Sequence, residues 1–142
     1  MATTAGGKAL SAAEMLGLSQ GLVVQELGWD DDVDDDLRIA IEDAVDGELI
    51  EEAMEAVDVV MLWWRDDDDG DLVDALVDSL TDLEGAGIVW LLTPKVGRDG
   101  YVDPADISES AITAGLALTT TMASASQDWT ASKLVRPKGA RR

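Results

Sequence analysis

The least ambiguous apolar run in the chain is VDVVMLWW, residues 57–64, which three valines and two tryptophans dominate and an arginine and four aspartates end. β-Branched and aromatic residues in so short a run predict a central strand. An earlier run, GLVVQELG (21–28), places Leu22, Val23, Val24 and Leu27 between glycines and predicts a first strand buried on both faces. A later one, IVWLLT (88–93), predicts a third strand of the same kind.

Between these runs the period changes to that of a helix. Leu37, Ile41, Ala44 and Val45 recur at helical spacing, predicting an amphipathic helix over 33–46 with Gly47 as its stop. Asp71 is placed to N-cap a second helix whose stripe runs through Leu72, Val73, Leu76, Leu80 and Leu83 until EGAG (84–87) breaks it. Asp103, with Pro104 at the first helical position, opens a third helix that ends near Gly115. The stretch 48–56 reads as a short strand at Glu48 to Ile50 and then an irregular or helical turn. LALTTTMAS (116–124) alternates like an exposed strand, and SKLVRP (132–137) reads as a last strand paired antiparallel with it as an edge.

Strand and helix alternating three times predict an α/β fold, a small doubly wound and mostly parallel sheet with an antiparallel edge strand. The expected organisation is a flexible leader over 1–8, one domain over 9–138 and a disordered basic tail over 139–142. Ser11 and Glu14 form a capping box for a short helix that Gly17 ends.

Charge then alters the picture. Residues 1–94 hold 25 acidic and 3 basic side chains, while residues 95–142 hold 5 acidic and 7 basic ones. A field of that sign repels nucleic acid and anionic lipid and attracts basic protein surfaces. Cysteine and histidine are both absent, which excludes disulfides, a zinc site and every triad that runs through an imidazole. No run approaches the roughly 18 apolar residues of a membrane span, and no secretory leader is recognisable, so a cytoplasmic protein is expected.

The aspartates fall where the chain leaves the carboxyl ends of the first and central strands, the edge at which such sheets bind ligands. One run is Asp30, Asp31, Asp32, Asp34, Asp35 and Asp36; the other is Asp66, Asp67, Asp68 and Asp69. Hard cations favour clustered oxygens, but a calcium loop centred on Gly70 would put Arg65 and Leu76 at its first and last ligand positions, so no metal site is expected. Helix N-terminal aspartates such as Asp34, Asp35 and Asp71 are favoured by the macrodipole, yet the runs exceed what two caps require. The expectation is therefore a single negative rim, with Trp29 beside it, presented to a basic protein partner. Neither nucleic acid nor membrane is an expected partner, no cofactor is expected, and the oligomeric state is left open.

Trp63, Trp64 and Trp90 lie in predicted strands and should fill the core, whereas Trp29 and Trp129 lie in predicted loops. A crevice formed by Gly28, Trp64, Arg65, Lys95 and Trp129 is the competing site, for a small zwitterionic ligand. Lys133, Arg136, Lys138, Arg141 and Arg142 are expected to contact anions or fold back on the rim.

Four segments together, VVQELGWDDDVDDDLR, MLWWRDDDDGDLVDAL, WLLTPKVGRDGYV and DWTASKLV, resemble the actinobacterial branch of domain of unknown function family 3052 over nearly all of residues 10–138. The resemblance implies a reduced Rossmann-like domain similar in layout to S-adenosylmethionine-dependent methyltransferases. The sequence departs from that pattern after the first strand, where only Gly28 precedes Trp29 and aspartates, and after VDVVMLWW, where Arg65 and Asp66 replace an N/D-P-P-Y motif. Cofactor binding therefore transfers to no residue. A scaffold without the chemistry, acting as a non-enzymatic interaction module, is the expected function, with a methyltransferase-like enzyme as the alternative.

Overall fold

The structure, a computed structural model, describes residues 16–68, 70–122 and 126–137. The leader, the Ser11–Glu14 capping box, Asp69, Lys138 and the last four residues lie outside them.

Five strands form one sheet. They are β1 (Val24–Leu27), β2 (Val57–Trp63), β3 (Leu83–Pro94), β4 (Ala117–Met122) and β5 (Trp129–Val135), in spatial order β1-β2-β3-β5-β4. The first three are parallel, and β5 runs antiparallel to both of its neighbours. Helix α1 (Asp35–Val45) covers one face, and α2 (Leu72–Ser79) and α3 (Pro104–Thr113) cover the other. Leu37, Ile41 and Val45 pack α1 onto Val59, Met61, Trp63 and Trp90, while Leu76 and Ile107 pack α2 and α3 onto Val60, Leu62, Val89 and Leu91. Side chains of successive strand residues alternate between these two cores, as the pleat requires.

The caps follow from local sequence. Asp34 accepts a hydrogen bond from the Leu37 amide, Asp71 from Val73 and Asp103 from Ala105, each satisfying an N-terminal N–H that the helix leaves unpaired. The stop of α1 differs from the expected Gly47. Asp46 takes the left-handed conformation at φ 58°, a role a short polar side chain tolerates, and its amide bonds the Glu42 carbonyl.

Other differences have long-range causes. The expected strand at Glu48 to Ile50 is reduced to one bridge between Gln25 and Ile50. EGAG does not break a helix; α2 ends at Ser79, and Leu83 opens β3, so these residues lie within an extended strand. The register jumps from Val57–Leu83 to Val59–Ile88, and Arg136 donates to the carbonyls of Leu83, Glu84 and Gly85, which the bulge frees from the ladder. Among the described residues Arg136 thus serves the backbone of β3 and not the aspartates. The last strand is no edge either: β5 inserts between β3 and β4, begins at Trp129, and leaves β4 as the edge. Trp129, expected in a loop, is 1% exposed, and Trp64, expected in the core, is half-buried just beyond β2.

Gly87 sits where the bulged strand rejoins β2. A Cβ there would lie 2.9 Å from the Asp58 carbonyl oxygen and 2.4 Å from the Leu83 side chain. Gly87→Ala should therefore cost about 1–3 kcal/mol of overpacking, whereas Gly47→Ala, which meets nothing within 4 Å, should stay within about 0.5 kcal/mol; urea unfolding measures both.

Candidate functional site

From β1 the chain first crosses to the Ile50 bridge on one side and then returns to β2 on the other. The order reverses at β1, so the crevice between the carboxyl ends of β1 and β2 is the topological switch point. Gly28 and Trp29 leave β1 there, and Trp64 and Arg65 leave β2.

The chain itself fills one side of this crevice. Arg65 is 7% exposed. Its Nε donates to Asp32 Oδ2 at 3.1 Å, Nη2 donates to Asp32 Oδ1, and Nη1 donates to the Gly28 carbonyl at 2.8 Å. This fork-on-carboxylate geometry is the strongest ion-pair arrangement a guanidinium makes. Asp68 turns back to accept the Arg65 amide at 3.0 Å. The guanidinium also lies 5.2 Å from the centre of the Trp129 ring, with that of Arg98 at 5.6 Å, in cation–π range.

Below this lid lies a second buried charge. Glu26, in mid-strand, accepts two hydrogen bonds from Arg38, at 2.7 and 2.9 Å, and one from the Trp63 indole at 2.9 Å. Trp63 meets Trp129 edge to face at 4.9 Å, and the Trp129 indole donates to the Asp32 carbonyl. Asp34 closes the network by accepting from Ser126 Oγ at 2.6 Å. Arg38 and Arg65 are the two basic residues within 9–94, and their rarity in so acidic a region was the sequence signal for these pairs. Their partners, 12 and 33 residues away, carried none.

The other side of the crevice is open. A hollow of about 420 Å³ lies between Trp29, Trp64 and α2, and Asp30, Asp68 and Asp78 are among its lining residues. Gly28 forms its inner wall with φ at 78°, and a Cβ there would fall 2.2 Å from the Trp63 carbonyl oxygen. The crevice residues named from sequence are therefore divided. Gly28, Trp64 and Arg65 line this hollow, Trp129 is packed beneath Arg65, and Lys95 lines a separate cavity beyond β3.

The aspartates divide as well. Asp30, Asp32, Asp34, Asp35 and Asp68 bind side chains or amides of their own chain, Asp30 at the exposed mouth of the hollow, whereas Asp31, Asp36, Asp66 and Asp67 are exposed without such a bond among the described residues. Among the described residues, no group of three or more acidic side chains is arranged to hold a metal ion. All three nitrogens of the guanidinium that lines the hollow are already engaged, so it offers no free donor to the carboxylate of a methionine-type cofactor.

The hydrogen bonds from Arg65 hold the Asp32 carboxyl below the ordinary carboxylate range, although partial burial opposes them. A folded-state pKa below the unfolded one contributes stability that is complete above the ordinary value of about 4 and is lost as pH falls from there through the folded value. Urea midpoints followed from neutral pH down through the carboxylate range should fall less steeply for Asp32→Asn than for the unaltered chain. At neutral pH, Arg65→Met should cost about 3 kcal/mol, because it strips the Gly28 carbonyl and Asp32 of their shared donor.

Among the described residues no helix is long and apolar enough to cross a membrane. Solved methyltransferases share the fold. The mitomycin 7-O-methyltransferase MmcR superposes with a TM-score of 0.63 at 12% identity, over 89% of this chain and 53% of that one, so the chain spans about half its length. A putative methyltransferase from Thermoplasma acidophilum gives 0.60 at 9% identity, over 88% of this chain and 72% of the other. The CcbJ methyltransferase from Streptomyces caelestis gives 0.58 at 13%, over 88% and 87%. Uncharacterized proteins of Mycobacterium tuberculosis and Mycobacterium bovis are each 48% identical over 96% of this chain and 90% of their own. The family described as "Protein of unknown function (DUF3052)" matches residues 13–138, and the chain belongs to that family.

Proposed function

We propose that this chain is a non-enzymatic cytoplasmic interaction module that presents its aspartate edge to a basic protein partner. The observation that carries the reading is the state of the switch-point crevice. Arg65, Asp32 and Trp129 occupy one side of it, and the other side is a hollow lined by the tryptophans Trp29 and Trp64 and by Asp30, Asp68 and Asp78. Such a hollow suits a lysine or arginine side chain, which gains from the ring faces and from the carboxylates together. Trp29, 51% exposed, supplies the aromatic anchor, and the exposed aspartates around it steer a basic surface. The methyltransferase-like alternative rests on the shared fold, and fold alone does not carry chemistry.

Affinity purification of the tagged chain from its own lysate at low and high salt tests the proposal, with the quadruple variant Asp30→Asn, Asp31→Asn, Asp66→Asn, Asp67→Asn run alongside. A stoichiometric basic protein should be retained at low salt, released at high salt and lost with the variant. Trp29→Ala should weaken its binding by about tenfold or more. Retention of the same proteins by the quadruple variant would sink the reading. A thermal shift with millimolar S-adenosylmethionine would favour the alternative.

A further inference from the structure

The hollow beyond β3 has a chemistry opposite to that of the aspartate edge and is independent of it. It encloses about 340 Å³ between the loop after β3, the start of α3, and strands β4 and β5. Val102, Ile107 and Leu118 supply apolar walls. Thr93 and Ser132 line it at 2% and 1% exposure, and among the described residues neither hydroxyl is hydrogen-bonded to another side chain or to the backbone. Buried hydroxyls are ordinarily paired, so two unpaired ones lining one cavity mark a place where something else completes them.

Lys95 also lines the cavity. In a chain with 30 acidic and 10 basic side chains, an ammonium group would be expected to find a carboxylate. No aspartate or glutamate lines this cavity, and among the described residues Lys95 forms no ion pair. A single cation, free hydroxyls and apolar walls are the few convergent polar groups in a largely apolar pocket that small-molecule sites show. One lysine with no arginine fork matches a single negative charge better than a phosphate.

We infer that this cavity binds a small organic monoanion, a carboxylate carrying a compact aromatic or branched aliphatic body, with Lys95 as its counter-charge and the Thr93 and Ser132 hydroxyls as hydrogen-bond partners.

Benzoate and 3-phenylpropionate titrated to millimolar concentration into the isotopically labelled full chain test this, with benzamide and 3-phenylpropanol as neutral counterparts. Amide resonances of Lys95, Thr121, Thr130 and Ser132 should shift saturably with at least one acid, and the neutral compounds should bind about tenfold more weakly or worse. Lys95→Met should weaken the acid by about tenfold without altering the neutral compound, and Lys95→Gln serves if the first variant fails to fold. Thr121→Trp, at an exposed position on the rim, should abolish binding of both with the remaining resonances in place. The inference is overturned if neither acid gives saturable shifts there, so that water alone completes the hydroxyls. It is also overturned if acid and neutral compound bind equally, or if replacing Lys95 leaves the acid's affinity unchanged.

Discussion

The bidentate pair between Arg65 and Asp32 is the contact on which the carboxyl edge of this sheet depends. It ties the loop after β2 to the loop after β1, and its remaining donor holds the Gly28 carbonyl. A guanidinium this buried is tolerated only when its donors are met, so the position of the whole first acidic loop follows from that of Arg65. Trp129 extends the constraint across the sheet, because its ring lies against Arg65 while its indole N–H reaches the Asp32 carbonyl.

The same pair also decides what the crevice can accept. In an open α/β sheet the switch point is the natural ligand site, and a helix N-terminus beside it offers amides to an anion. Here Asp34 takes an amide of α1, Asp35 and Asp36 occupy its first turn, and the carboxylates at the mouth of the hollow extend the same sign. The cavity beside Lys95 lies in the part of the chain where basic residues outnumber acidic ones, and it shares no lining residue with the acidic hollow.

Seen this way, the two aspartate runs are not one uniform feature. Several members are structural: they cap α1, hold Arg65 or turn the chain after β2. Asp31, Asp36, Asp66 and Asp67 face solvent and repel one another, a cost that the intramolecular pairs partly offset. Removing a structural aspartate therefore disturbs the frame that holds the exposed ones.

The sequence by itself determined the strand and helix alternation, the interior rather than edge position of VDVVMLWW, and the caps Asp71 and Asp103. Each of these depends on residues within a turn or two of one another, so periodicity and cap chemistry report them directly. The tertiary structure alone decided that EGAG stays extended beside Arg136, that β5 inserts between β3 and β4, and that Trp129 is buried. It alone decided that Glu26 is satisfied in mid-strand by Arg38 and Trp63, and that Lys95 lies apart from Gly28. These outcomes join residues a dozen to nearly a hundred positions apart, and their energy comes from burying charge and hydroxyl groups together, which no local pattern along the chain encodes.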